Sequence, residues 1–245
     1  MEIRELKRIE EYEACLVIQR EAWQFEDIDL VPVPLFVLAR DYGGVILGSF
    51  IEDKLVGFVY ALPVLHDKEL VLHSHMLAVL PQYQNRGIGY RLKLAQREEA
   101  RRRGYHLITW TYDFLQRKNS YLNFRKLGGI ARRLYRDYYG QSSSLLHSGL
   151  PTDRLLVEWH LDQPRTRTVS EFTPILEYRD GEFIRKESSG AIGIEIPSDI
   201  QRLKQEDLNL AHQWQHEVRS ALETYFQKGY QVVDFSNPFL VLVHD

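Results

Sequence analysis

The chain has 245 residues, 44% of them hydrophobic and 27% charged, the balance of a globular protein with an ordinary core rather than of a disordered or fibrous one. A formal net charge of −3 supplies no field to gather nucleic acid or anionic membrane, and no apolar run approaches the roughly 20 residues that span a bilayer. The single cysteine, Cys15, excludes an internal disulfide and a cysteine-built metal cage.

In chain order, "MEIRELKRIEEYE" alternates charge and lacks the apolar centre of a signal peptide, so a cytoplasmic location is expected. "EEYEACLVIQREAW" sets Tyr12, Cys15, Leu16 and Ile18 at the spacing of an amphipathic helix, with Cys15 a small core residue. "VILGSFIEDKLVGFVYALPV" reads as two strands joined at Glu52, Asp53 and Lys54. "ELVLHSHMLAVL" is a third strand, apolar enough to predict a central position covered on both faces. A polar turn then leads into "IGYRLKLAQREEARRRGY", a helix with Ile88, Leu92, Ala95 and Ala100 at helical spacing and Gly104 as its stop. Arg101, Arg102 and Arg103 fall at its end, where cations complement the helix dipole, so they read as a solvated face rather than a nucleic-acid patch. "HLITWTYD" is a strand and "QRKNSYLNFRKLGG" a short helix closed by glycines. Strand, helix, strand, helix asks for a sheet with crossover helices.

Beyond the strand "TDRLLVEWHL", the polar stretch "DQPRTRTVSE" reads as a linker. Asp180-Gly181 then marks a hairpin, "AIGIEIP" a strand, and "LNLAHQWQHEVRSALETYFQKG" a helix with Leu210, Trp214, Val218, Leu222 and Tyr225 on one face. "YQVVDF" and "FLVLVHD" close with a second hairpin. His212 and His216 in that helix stand at metal-ligand spacing, but with Gln213 after the first and no third ligand in sight no metal site is expected.

The turn "PQYQNRGIG" carries the chemistry. Two glycines between a strand and a helix let a ligand approach the backbone closely, and the first turn of the helix offers unpaired N–H groups at the positive end of its dipole. That is an anion cradle. It lacks the third glycine of a dinucleotide fingerprint and the Gly-Lys-Ser/Thr ending of a nucleoside triphosphate loop.

"LAVLPQYQNRGIGYRL" resembles the acyl-CoA binding motif of the GNAT superfamily of N-acyltransferases, Gln/Arg-x-x-Gly-x-Gly/Ala after an apolar strand, with the motif on Gln84, Gly87 and Gly89. The preceding hairpin and "NSYLNFRKLGG" resemble further conserved segments of that family. The resemblance covers about residues 1–162 and implies an α/β fold, a GNAT-like mixed central sheet with helices on both faces; residues 163–245 form a smaller C-terminal α+β extension. It implies acetyl-CoA or another acyl-CoA as donor, its pyrophosphate held by the backbone of Asn85, Arg86, Gly87, Ile88 and Gly89 with charge from Arg86 or Arg91. Leu77, Ala78 and Val79 would face the pantetheine arm, as would Asn119 and Asn123, for which a helix cap and a solvated side chain are the plainer roles.

Direct attack of an amine on a thioester needs a base for the amine and an acid for the thiolate. His73 and His75, two apart on one strand and so on one face, are the candidate bases, titrating near neutrality; Asp113 is the alternative, though it also suits a turn cap. The family's usual tyrosine is Phe124 here, so Tyr121 is the nearest acid on that helix, with Tyr135, Tyr138 or solvent as substitutes. Arg154 and Arg219 are candidates for binding a carboxylate on the acceptor, surface ion pairs being their ordinary role. The expected function is transfer of an acetyl group, or a larger acyl such as succinyl, to a primary amine of a small molecule, an amino acid among the candidates, with a homodimer as the candidate assembly. A non-catalytic CoA-binding sensor or assembly protein and a protein N-acyltransferase are the alternatives.

Overall fold

A computed structural model describes residues 1–140, 149–163 and 168–244. Residues 164–167, the centre of the expected linker, lie outside the described part. Two units emerge: the first holds residues 1–110 and 160–163, the second the described residues of 111–140, 149–159 and 168–244.

In the first unit, β1 (Glu2–Glu5), β2 (Val45–Ile51), β3 (Lys54–His66) and β4 (Glu69–Val79) form an antiparallel run, and β5 (Leu107–Tyr112, its last two residues in the second unit) pairs parallel to β4 through Ile108 and Thr109. The turn between β2 and β3 falls where expected: Glu52 and Asp53 have φ of 49° and 62°, the two left-handed residues that match a hairpin's twist. Three helices pack on this sheet, α1 (Ile9–Trp23), α2 (Val33–Asp41) and α3 (Ile88–Arg102). Tyr12 of α1 stacks on Phe36 of α2 with ring centroids 5.5 Å apart, and Phe36 meets Tyr60 of β3 at 4.7 Å. Cys15 is fully buried, where desolvation pushes its thiol well up and keeps it protonated. Buried Gln19 accepts from the Val31 N–H at 2.8 Å and donates to the Val31 carbonyl at 3.3 Å, which pins the connection from α1 to α2.

One expectation fails. In β4, Leu72, Ser74, Met76 and Ala78 are buried, but His73, Leu77 and Val79 are half-buried and His75 is exposed, so the second face is open. The strand is bulged there: Tyr60 faces Met76 and Ala61 faces Ser74, leaving His75 as the extra residue. A bulge bends its strand and raises the local twist. Pairing of β4 with β5 is confined to Leu72 with Ile108 and His73 with Thr109, ending just before the bulge.

Glu11, 6% exposed at the start of α1, accepts from the N–H groups of Lys7 and Arg8 and pairs with Arg4 and Arg8. Burial alone would raise its pKa; these donors outweigh it and hold the carboxyl at about 2, against the ordinary 4.5. A depressed carboxyl contributes stability that is fully present above pH 4.5 and is lost as the pH falls through about 2. Glu11→Gln is therefore expected to lower unfolding free energy at pH 7 by about 1–2 kcal/mol, after allowance for solvent screening, and the gap should close on acidification through that window in denaturant titrations.

In the second unit a turn of helix, α4 (Arg117–Ser120), runs into a π-helix (Tyr121–Lys126). The sheet order is β7 (Arg154–His160, its last residue in the first unit), β6 (Ile130–Tyr135), β11 (Tyr230–Ser236), β12 (Phe239–His244), β10 (Ile192–Glu195), β8 (Thr173–Arg179), β9 (Glu182–Arg185). The expected hairpins are present, β8 to β9 through Asp180 and Gly181 with φ of 53° and 87°, and β11 to β12. Helix α6 (Leu208–Gln227) buries Trp214, Val218, Leu222 and Tyr225 as its periodicity predicts, with His212 and His216 exposed. A shorter helix, α5 (Ile200–Glu206), capped by Asp199, precedes it.

Candidate active site

The strand-to-helix turn is shaped by its own hydrogen bonds and left-handed residues. Gln84 donates from Nε2 to the Val79 carbonyl at 2.9 Å, which ties the loop back to the end of β4. Asn85 (φ 60°) and Gly87 (φ 75°) take left-handed conformations that turn the chain, and Gly87 is the N-cap of α3. A glycine cap supplies no side chain to the first-turn N–H groups, and that turn carries no acidic residue. Residues 84–87 are exposed. Arg86 sits over the Tyr83 ring at 5.5 Å from its centroid, and exposed Arg91 follows on the helix.

The two glycines have different reasons. Gly87 is demanded by its positive φ, whatever surrounds it. Among the described residues nothing demands Gly89: its φ is helical, and a Cβ there would meet Leu77 Cδ2 alone, at an ordinary 3.6 Å. Helices favour alanine over glycine by up to about 1 kcal/mol, so a glycine at an unobstructed helical position leaves room for a partner outside the chain. A pyrophosphate against the first-turn N–H groups fits that space.

Leu77, Ala78 and Val79 lie in the part of β4 beyond its pairing with β5, with their other edge bonded to Gly57, Phe58 and Val59 of β3. Their backbone groups on the β5 side are thus placed to bond an extended ligand arm. His73 and His75 have ring centroids 6.5 Å apart. His73 Nδ1 is 3.0 Å from Thr109 Oγ1, while His75 lies edge-on to Tyr60 at 6.1 Å. Desolvation lowers both pKa values; His73, which also feels His75, Lys93 and His66, comes down to about 4. Both rings are therefore neutral at pH 7.

Lys93 of α3 is a residue that sequence reasoning missed. It is 3% exposed, its Nζ 3.8 Å from the Trp110 ring centroid and 2.9 Å from Gln96 Oε1, and desolvation lowers its pKa well below the ordinary range. Nothing in the helical pattern marks it, because lysine at such a spacing ordinarily snorkels to water.

The remaining candidates belong to the second unit. Asp113 caps the turn after β5, accepting from Leu115 N–H at 3.0 Å and from Gln116 Nε2 at 3.1 Å. Asn119 is exposed and is not the cap of α4, a place taken by Gln116; Asn123 is buried. Tyr121 is 46% exposed, with Lys126 Nζ 5.6 Å from its ring centroid. Phe124 is a core residue packed edge-on to Tyr112 at 6.0 Å. Arg154 is buried with its guanidinium 5.3 Å from the ring of Tyr139, whose hydroxyl is 3.1 Å from Thr111 Oγ1. Tyr135, Tyr138 and Tyr139 form a continuous aromatic group at spacings of 4.9 and 4.8 Å. Arg219 donates to the buried carboxylate of Asp153 at 2.9 Å.

Solved proteins share this fold at low identity. The ribosomal-protein-S18-alanine N-acetyltransferase of Escherichia coli superposes with a TM-score of 0.53 at 17% identity, over 66% of this chain and 95% of that one. For yncA from Salmonella typhimurium, solved with its cofactor acetyl-CoA, the values are 0.54, 17%, 69% and 98%. Aminoglycoside 6'-acetyltransferase type Ii gives 0.52, 19%, 67% and 99%. No curated protein matches the chain. The Acetyltransferase (GNAT) family model matches residues 3–128, just over half of the sequence and inclusive of the cradle. The chain belongs to the GNAT acetyltransferase family, N-acetyltransferases whose acyl donor is an acyl-CoA.

Proposed function

We propose that this enzyme transfers an acetyl group, or a larger acyl such as succinyl, to the primary amine of a small molecule that also carries a carboxylate, an amino acid being the simplest case. Acyl-CoA supplies the activated thioester. Gln84 to Gly89, with Arg86 and Arg91, hold its pyrophosphate, and Leu77, Ala78 and Val79, with Asn119 and Asn123, line its arm. His75, exposed on the bulge yet partly desolvated by its surroundings, accepts the proton of the attacking amine; His73, fastened to Thr109, is the alternative on the same strand, and Asp113 is the second candidate base. Tyr121 or solvent protonates the thiolate.

The observation that carries the acceptor class is Arg154. A buried guanidinium flanked by an aromatic group suits a carboxylate through charge-assisted, bidentate bonding. Arg219 donates to Asp153 at 2.9 Å, an ion pair that a carboxylate on the acceptor would have to displace. Rates on amino acids should exceed those on their amides, and Arg154→Ala should cost about 1.5–3 kcal/mol on the acid alone, read from kcat/KM. Equal losses on acid and amide would refute the contact.

A second reading has its own support: the similar E. coli protein is named for acetylating a protein's alanine. Peptides with free N-termini, tested beside free amino acids, separate the two, since a protein N-acetyltransferase would turn the peptides over far faster.

A further inference from the structure

The second unit contains a groove that lies almost wholly beyond the family match, which ends at residue 128. Its volume is about 490 Å³, within the range of small-molecule sites. The floor is aromatic: Tyr178 of β8 and Trp214 of α6 meet at 5.4 Å with their planes 52° apart, forming a corner, and Phe183 of β9 backs the indole edge-on at 5.0 Å. Leu203 and Leu210 complete an apolar wall.

Charge around this corner is not evenly satisfied. Glu195 is paired with Arg179 at 2.9 Å, Glu206 with Arg202 at 2.7 Å, and Asp199 accepts the N–H groups of Gln201 and Arg202 at the start of α5. Arg117 is different. Its Nε donates to the Pro197 carbonyl at 3.1 Å and its Nη2 to the Ile196 carbonyl, so the guanidinium is fixed in place by neutral acceptors, with Glu195 acting on it only through space. Two carbonyls orient a cation without neutralising it, and the planar fork keeps donors on its remaining nitrogen.

We propose that this groove is a second small-molecule site, which takes a planar aromatic carboxylate, its ring in the Tyr178–Trp214 corner and its anion on Arg117. The ring replaces water on the aromatic floor, and the carboxylate supplies the charge that the carbonyls do not. This site is independent of the acceptor proposed above, and its occupant is bound whether or not the acyl transfer reading holds.

The test is calorimetric titration with naphthalene-2-carboxylate and, in parallel, naphthalene-2-carboxamide. The acid should bind the wild-type protein about tenfold or more tightly than the amide. Arg117→Gln should remove that preference by weakening the acid alone, and Leu210→Trp, which fills the groove, should abolish both. Acetyl-CoA affinity, measured on the same samples, should be unchanged in both variants, and an unaltered thermal melt reports an intact fold. Absence of binding at millimolar concentrations, equal affinity for acid and amide, or affinities untouched in both variants would overturn the proposal.

Discussion

Replacing Gly89 by tryptophan is expected to weaken acetyl-CoA binding by about 100-fold, about 2.7 kcal/mol, while the protein stays folded. The fold should survive because Gly89 has helical φ and, among the described residues, only Leu77 Cδ2, at 3.6 Å, near the place of a Cβ. Binding should fail because the same open space lies over the first-turn N–H groups of α3, the proposed seat of the pyrophosphate. Gly89→Ala sharpens the test, since it pushes two quantities in opposite directions. Alanine is the better helix former, so the ligand-free protein should gain about 0.5 kcal/mol in a thermal melt while acetyl-CoA affinity falls. Gly87 is the poorer probe: with φ at 75°, any side chain there strains the backbone and confuses loss of cradle with loss of fold. Unchanged affinity in a folded Gly89→Trp protein would remove the pyrophosphate from this turn.

The second large effect belongs to the β4 histidines. His75→Ala is expected to lower kcat at saturating acyl-CoA by about 100-fold with little change in acetyl-CoA affinity, the mark of a group that moves a proton rather than one that binds the donor. The pH dependence has a definite sign. A base works when unprotonated, and desolvation lowers the His75 pKa, so activity should persist as the pH falls through 6.5 and decline only below it. A limb near 4 would instead assign the base to His73. A His73→Ala, His75→Ala double variant that retains full turnover would move the role to Asp113 or to water.

Elements written in local chemistry were legible from the sequence. Glu52-Asp53 and Asp180-Gly181 specify hairpin turns, and the α6 stripe specifies its buried face. Features set by pairing between distant segments were not. The bulge at His75 arises from the register of β3 against β4, and it turns a strand that reads as covered on both faces into one with an open side. Two histidines two apart were visible, but not that one would be solvent-open and the other tied to Thr109, nor that burial would take the His73 ring from near neutrality to about 4. Phe124 was visible as a departure from the family; its packing on Tyr112 gives it a structural role in place of the missing hydroxyl. Arg219 carried no mark of its partner, because Asp153 is 66 residues away in the chain.

The most direct test of acyl transfer to a small amine is release of free CoA thiol from acetyl-CoA, followed with and without a panel of amino acids and polyamines. The structure and family membership predict thiol release that depends on the amine, with one acetylated amine formed per thiol. Acetyl-CoA binding without amine-dependent thiol release on any member of that panel would contradict acyl transfer to a small amine.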